Sequence, residues 1–431
     1  MIDKTLQDQK KKSRIITFEE FELDNGLKVI LSCDNSIPSL VINLCYHVGS
    51  KNEEPGKRGY AHLFEHLMFE GSKHVPPGEY DKIVTGAGGD NNAYTTEDKT
   101  NYFLLLPANQ LELGLWLESD RMLQFAVNRE SLEIQKNVVI EEKKQNYDNR
   151  PYGTVSLEFA PRLFQKSGYS WDTIGDINDI EKASLEDVKS FFDKFYVPNN
   201  AVLSIVGSID TLSTGRLVKK YFEDIPPGTN GIAYNFDESP LVNETRATVY
   251  DRVQFTGIFA GYRVPRENTR EHFALELLSE VLAGGDSSRL YNRLVYKKQL
   301  ASEIGAWVDA REFAGVFFIY AILMPGKNAA ELEENIDLIL EEIKSGNIGE
   351  NELDKAKNKI ETKQQYRKQF IVSKADLLAH YKTFYNDAGL INTYSENYTG
   401  LKREDIINAA RTYIKKENRV VLHYFPVPNG K

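Results

Sequence analysis

Cysteine is nearly absent from this chain of 431 residues: Cys33 and Cys45 are the only two. Two thiols cannot staple a chain of this size, and neither belongs to a C-x-x-C pair. A disulfide framework is therefore excluded, and both cysteines are expected as packing residues. Long apolar runs are missing too; none approaches the ~20 residues that a membrane helix needs, so no membrane span is expected. Nor is positive charge in excess. Lysine and arginine number 53 against 63 aspartates and glutamates, a formal charge of −10, and no basic stripe carries interleaved aromatics. That balance excludes a nucleic-acid or anionic-membrane partner. The opening "MIDKTLQDQKKKSRIITFEEFELDNG" has no apolar core of the signal-peptide kind, and Lys10 to Lys12 read as part of a solvated, mobile tail. A cytoplasmic location is expected from the chain as it begins here, and a periplasmic one if a leader was removed ahead of it.

What is present is an ordinary globular composition, 41% hydrophobic and 27% charged, in a chain too long for one compact core. Strand-like runs ("LKVILS", "LVINLCYHV", "NAVLSIVGS") alternate with helical patterns such as "SLEDVKSFFDKFY" in both halves, which predicts an α+β fold with mixed layers. Residues 224–241, "DIPPGTNGIAYNFDESPL", read as a linker, giving domains at 1–228 and 229–431. An internal repeat supports the cut. At a constant offset of 218, Glu186, Asp187, Val188, Asn200 and Val202 match Glu404, Asp405, Ile406, Asn418 and Val420. Each copy reads as a helix opened by acidic residues and followed by a strand.

The stretch "YAHLFEHLMFEGS", residues 60–72, holds the pattern H-x-x-E-H in His62, Glu65 and His66. Residues four apart on a helix share a face, so both imidazoles can point at one ion. Zinc accepts such nitrogens, needs a third protein ligand and leaves a position open for water. Glu65 is placed to reach that water as general base. The plain alternative is an amphipathic helix whose apolar face (Leu63, Phe64, Leu67) is core and whose histidines are neighbours by chance. With 7 histidines in 431 residues, that coincidence arises in roughly one such chain in a hundred.

"HVGSKNEEPGKRGYAHLFEHLMFEGS", "GDNNAYTTEDKTNYF", "NVVIEEKKQNYDNRPYG" and "GGDSSRLYNRLVYKKQLA" together resemble the pitrilysin/insulinase family of inverzincin metallopeptidases, which includes the mitochondrial processing peptidases. The resemblance runs over nearly the whole chain from about Phe18. It implies two α/β halves of similar fold closing like a clam-shell around a chamber, with zinc in only one. It also implies zinc-dependent hydrolysis of extended, unstructured peptides. The third ligand would be a glutamate about 75 residues beyond His66, a window that holds Glu141 and Glu142. Periodicity leaves the two open, because Val138 and Val139 put either near an apolar face. The family pattern falls on Glu142, with Glu141 as the alternative. Gln135 stands where many relatives carry a further glutamate, and an amide there is expected to tune the site without losing the metal. "NNAYTTEDKTNYF" alternates as an antiparallel strand should. The resemblance places Asn92 and Ala93 on an edge strand to which the substrate adds, with Gly86, Gly88 and Gly89 relieving crowding just before it.

The second-half counterpart of the zinc helix is "HFALELLSEVLAGG", with Ala274 and Leu278 at the ligand positions, so no second metal site is expected. Self-sufficient relatives supply an arginine and a tyrosine from this half. Here Val295 and Ser302 occupy those places, while Arg289 and Tyr296 have the seven-residue spacing in the wrong register. The expected assembly is thus a zinc-bearing subunit paired with a homologous partner that carries the Arg/Tyr pair, with a homodimer as the other arrangement. A non-catalytic scaffold subunit and a zinc-binding protein without hydrolysis are the competing classes. The intact His62–Glu65–His66 set speaks against the scaffold, which needs none of the three.

Overall fold

The computed structural model describes residues 15–229 and 234–428. Lys10 to Lys12 and the middle of the expected linker, residues 230–233, lie outside the described residues. The rest of that linker carries neither helix nor strand. Helices used below are α1 (Tyr60–Leu67), α2 (Leu111–Leu123), α3 (Arg129–Lys143), α4 (Val155–Leu163), α5 (Leu185–Phe195), α6 (Arg270–Ala283), α7 (Ile371–Tyr385) and α8 (Arg403–Tyr413).

The chain divides into two compact units. The first comprises the described residues within 1–137, 175–234 and 365–394. Its sheet has the order β1-β2-β6-β3-β5-β4, from β1 (Glu19–Glu22), β2 (Lys28–Cys33), β3 (Ser39–Tyr46), β4 (Asp90–Thr95), β5 (Thr100–Pro107) and β6 (Ala201–Gly207). Every residue of β6 is buried, which is why its sequence is a continuous apolar run and not an alternating one. Helix α2 covers the face of Ile42 and Leu106; a Cβ on its Gly114 would come within 2.5 and 2.6 Å of their Cδ1 atoms. Cys45, of opposite parity on β3, turns to the other face, where Thr383 of α7 donates to its Sγ at 3.6 Å. Cys33, by contrast, is exposed at the end of β2. The expectation of packing holds for Cys45 and fails for Cys33, because the burial of β2 stops one residue short of it.

The second unit comprises the described residues within 138–174, 235–364 and 395–431. Its sheet has the order β7-β11-β8-β10-β9, from β7 (Thr245–Asp251), β8 (Gly257–Pro265), β9 (Ala301–Asp309), β10 (Ala314–Leu323) and β11 (Arg419–Pro426). The pairing repeats that of the first unit. A parallel pair (β2 with β6, β7 with β11) is followed by three antiparallel pairings that end on an edge strand, β4 or β9. The sequence repeat falls on α5 with β6 and on α8 with β11. Its matched asparagines do the same work: the Nδ2 of Asn200 donates to the carbonyls of Phe195 and His47, and that of Asn418 to those of Tyr413 and Arg263. Each amide ties the end of its helix to the neighbouring antiparallel strand. The α+β fold is thus a duplication.

The units do not follow the two-segment division expected at 228/229. Helix α4, from the first half of the sequence, packs Phe159 and Leu163 against Val420, Leu422 and Tyr424 of the second sheet. Helix α7, from the second half, packs on β3 and β6 of the first. An amphipathic pattern states that a helix has a face to bury, but not which sheet buries it.

Candidate metal centre

Helix α1 is short, and its start is built by side chains from outside it. Gly59 precedes it at φ +91 and has no side chain to cap the helix. The carboxylate of Glu53 takes over, accepting from the backbone N–H of Gly59 and of Ala61 at 2.8 Å each. Leu63, Phe64 and Leu67 are fully buried. The Phe64 ring stacks among Phe125, Phe191 and Tyr196 at 5.0–5.3 Å, and the Tyr102 hydroxyl donates to the Phe64 carbonyl at 3.1 Å. With that face anchored, His62 and His66 stand together on the other side, ring centroids 5.0 Å apart and planes at 85°.

The third member comes from α3, a continuous helix held to the first unit before it reaches the site. Gln135 donates to the Glu70 carboxylate, and Lys136 to the Glu181 carbonyl at 3.1 Å. Leu132 and Val139 are buried on this helix while Ile134 and Val138 are exposed. The stripe of 132, 135, 139 and 142 therefore carries Glu142 inward, and that of 134, 138 and 141 carries Glu141 outward. Glu141 pairs with Lys144 at 2.6 Å in solvent. Among the described residues, His62, His66 and Glu142 form the group able to hold a metal: each offers a ligand atom, and these atoms lie within 4.8 Å of one another. Two imidazole nitrogens and one carboxylate oxygen suit zinc and leave room for water, so the residues present fit that ion. Glu142 also accepts from Asn146 Nδ2 at 3.3 Å. Gln135 reaches Glu70 and is not a member of the group.

Glu65 lies on the same helix, and its Oε2 accepts from the Thr95 hydroxyl at 2.7 Å. Thr95 ends β4, the edge strand, with Asn92 and Ala93 just before it. The Ala93 N–H donates to its neighbour's Asn92 Oδ1 at 2.8 Å. "NNAYTTEDKTNYF" is a hairpin and not one strand: β4 and β5 are joined by the turn Thr96–Lys99, where the Thr96 N–H donates to the Lys99 carbonyl at 2.8 Å. Gly89 is small for a local reason, since a Cβ there would come within 2.4 Å of Leu106 Cδ2. A Cβ on Gly86 would meet nothing within 4 Å. Thr95 and Glu53 were not legible as site residues; neither stands at a spacing that marks it.

Residues 28–168 match the family model described as "Insulinase (Peptidase family M16)", and residues 182–360 match "Peptidase M16 inactive domain". The zinc protease PqqE of Helicobacter pylori is 32% identical over 413 residues, covering 92% of this chain and 90% of that protein. This chain belongs to peptidase family M16. A crystal structure of a protease from Helicobacter pylori superposes with a TM-score of 0.90 at 31% identity, over 96% of this chain and 100% of that one. An M16 inactive domain from Pseudomonas fluorescens shares the fold at 18% identity, TM-score 0.85, over 96% of this chain and 99% of that one.

In the second half of this M16 chain the positions that correspond to the ligands carry apolar side chains. Ala274 and Leu278 of α6, at the ligand positions, are buried in the core. Arg289 is engaged in a two-pronged ion pair with Glu352 at 2.8 and 2.6 Å, Tyr296 is 73% exposed, and Ser302 donates to the Ile322 carbonyl at 3.3 Å. Among the described residues, no helix is long and apolar enough to cross a membrane.

Proposed function

We propose that this M16 chain is a zinc-dependent endopeptidase acting on extended, unstructured peptides, with His62, His66 and Glu142 as ligands and Glu65 as general base. The observation that carries the reading is the gathering of two histidines and a glutamate beside a carboxylate on the same helix. Zinc held by the three would lower the pKa of a water toward 7 and polarise the scissile carbonyl. Glu65, held by the Thr95 hydroxyl, would take a proton from the attacking water and return it to the leaving amine as the C–N bond breaks. The peptide joins β4 as an added strand along Asn92 and Ala93. There a substrate carbonyl replaces Asn92 Oδ1 as acceptor of the Ala93 N–H. Main-chain pairing demands an extended segment and reads little of its sequence, so folded proteins are poor substrates.

The chain acts as the zinc-bearing subunit of a pair. Val295 and Ser302 offer no cationic donor for a developing oxyanion, and Arg289 is occupied by Glu352. Such donors are often worth ~10²–10³ in rate, so a homologous partner with an arginine and a tyrosine at these places would complete the site.

The test is cleavage of a quenched, unstructured peptide by the zinc-loaded chain, with Glu65→Gln as control. Cleavage that is lost in Glu65→Gln supports the peptidase. Turnover by the chain alone at a rate that no homologous subunit raises overturns the pairing. Cleavage undiminished in Glu65→Gln, or none with any homologous subunit added, overturns the peptidase reading.

A further inference from the structure

Strand β4 is pinned from both faces at its last two residues. Successive side chains point to opposite sides of a sheet. Thr95 turns to α1, where its hydroxyl donates to Glu65 at 2.7 Å. Tyr94 turns to α7, where its hydroxyl donates to Asp376 Oδ1 at 2.5 Å. The same Asp376 oxygen receives Lys99 Nζ at 2.8 Å, from the far end of the hairpin turn. The Lys99 and Asp376 side chains are only 8% and 22% exposed. Burial raises the Asp376 carboxyl, but the charge of Lys99 and the hydrogen bonds from Lys99 and Tyr94 hold it below the usual carboxylate range. Asp376 is therefore an anion that grips both ends of the turn at once. The turn is also held from a third side, where Lys51 Nζ pairs with Asp98 at 2.9 Å.

An edge strand has a free margin on one side and shifts readily unless it is fixed. Here the fixing comes from α7, a helix that joins the first unit from the far end of the sequence. We propose that Asp376, acting through Tyr94 and Lys99, is a positioning residue that sets the end of β4, so that the Thr95 hydroxyl holds Glu65 in its reactive orientation. This deepens the peptidase reading above and rests on it. Thr95 acts on Glu65 directly, and Asp376 acts on it through the end of β4.

Two variants isolate the hydroxyls without emptying the core: Thr95→Val and Tyr94→Phe, with Thr95→Ser as the conservative replacement. Peptide cleavage is measured with the zinc-loaded chain, in the presence of the homologous subunit where that is required. Thr95→Val should lower kcat roughly 10- to 100-fold with KM and zinc content unchanged, and Thr95→Ser should restore it. Tyr94→Phe should lower kcat by a smaller factor and have no further effect in the Thr95→Val background, because both act on one contact. Backbone hydrogen exchange of residues 94–99 in the metal-free protein reads the linkage without any activity. It should quicken in Tyr94→Phe and in Asp376→Asn and stay unchanged in Glu65→Gln. Wild-type kcat in Thr95→Val, full additivity of the two hydroxyl variants, or unaltered exchange in Tyr94→Phe would each overturn the proposal. Undiminished cleavage by Glu65→Gln would instead sink the peptidase reading, and the exchange result would still decide whether Asp376 fixes the strand.

Discussion

Replacing Glu53 removes the cap from the helix that carries both histidines. Helix α1 has 8 residues, well below the ~12–15 at which an isolated helix becomes marginal in water. Its first N–H groups are met by a carboxylate that is 6% exposed and accepts two of them at 2.8 Å. Hydrogen bonds to a charged group contribute about 1.5–3 kcal/mol each, and a negative charge at a helix start adds about 0.3–1 kcal/mol. Water entering the space left by Glu53→Ala recovers part of this, which leaves a loss of about 2–4 kcal/mol. Glu53→Gln keeps one acceptor but turns an amide N–H toward the other donor, so its cost is about half as large. The assay is chemical denaturation of the metal-free protein, together with zinc affinity by competition against a chromophoric chelator. Once the loss leaves α1 mostly unfolded in the metal-free protein, each further 2 kcal/mol corresponds to about 30-fold in the zinc dissociation constant. The expected order of affinity is parent, Glu53→Gln, Glu53→Ala. If both variants stay within about 0.5 kcal/mol of the parent, with zinc affinity unchanged, the reasoning is refuted. The aromatic bed under Phe64 would then be sufficient to hold α1.

Two further outcomes follow from the geometry. Glu142→Gln should weaken zinc binding by at least 10-fold, measured by the same competition, whereas Glu141→Gln, whose parent residue pairs with Lys144 in solvent, should leave it unchanged. At acid pH the link between Lys374 of α7 and Asp34, just beyond β2, should weaken. Burial raises this carboxyl, but hydrogen bonds from Lys374 and Ser36 prevail and bring it from 3.8 to about 2. A carboxyl depressed in the folded state contributes its stability in full above its unfolded value and loses it as pH falls through the folded one. The deficit of Asp34→Asn against the parent should therefore be complete above about pH 4 and vanish toward pH 2 in denaturation titrations. A deficit that does not change with pH would contradict it.

The parts of this site that were legible in the sequence are those set by local periodicity. His62, Glu65 and His66 could be placed on one helix because a helix repeats every 3.6 residues. The repeat of α5 with β6 and α8 with β11 could be seen because Asn200 and Asn418 meet the same local demand at the end of each helix. The choice between Glu141 and Glu142 could not be made from Val138 and Val139, since adjacent apolar residues fit two faces equally. It needed the knowledge that Val139 is buried and Val138 is not. The hairpin at Thr96–Lys99 was hidden because its turn contains neither glycine nor proline. Thr95 and Asp376 escaped for a different reason. Their partners are chosen by three-dimensional proximity, across a separation of 282 residues in the case of Tyr94 and Asp376, and no spacing rule reaches so far.

The exchange of α4 and α7 between the units sets a timetable for synthesis. The first sheet has all six strands once Gly207 has been made, but α7, which covers the Cys45 face, begins only at Ile371. At about 5–20 residues per second, that face waits roughly 10–30 s for its cover after the last strand emerges. During this interval the nascent chain holds both histidines and the glutamate of the candidate centre, while β4 still lacks the Asp376 grip. The strand beside Glu65 is therefore fastened only after most of the chain has been built.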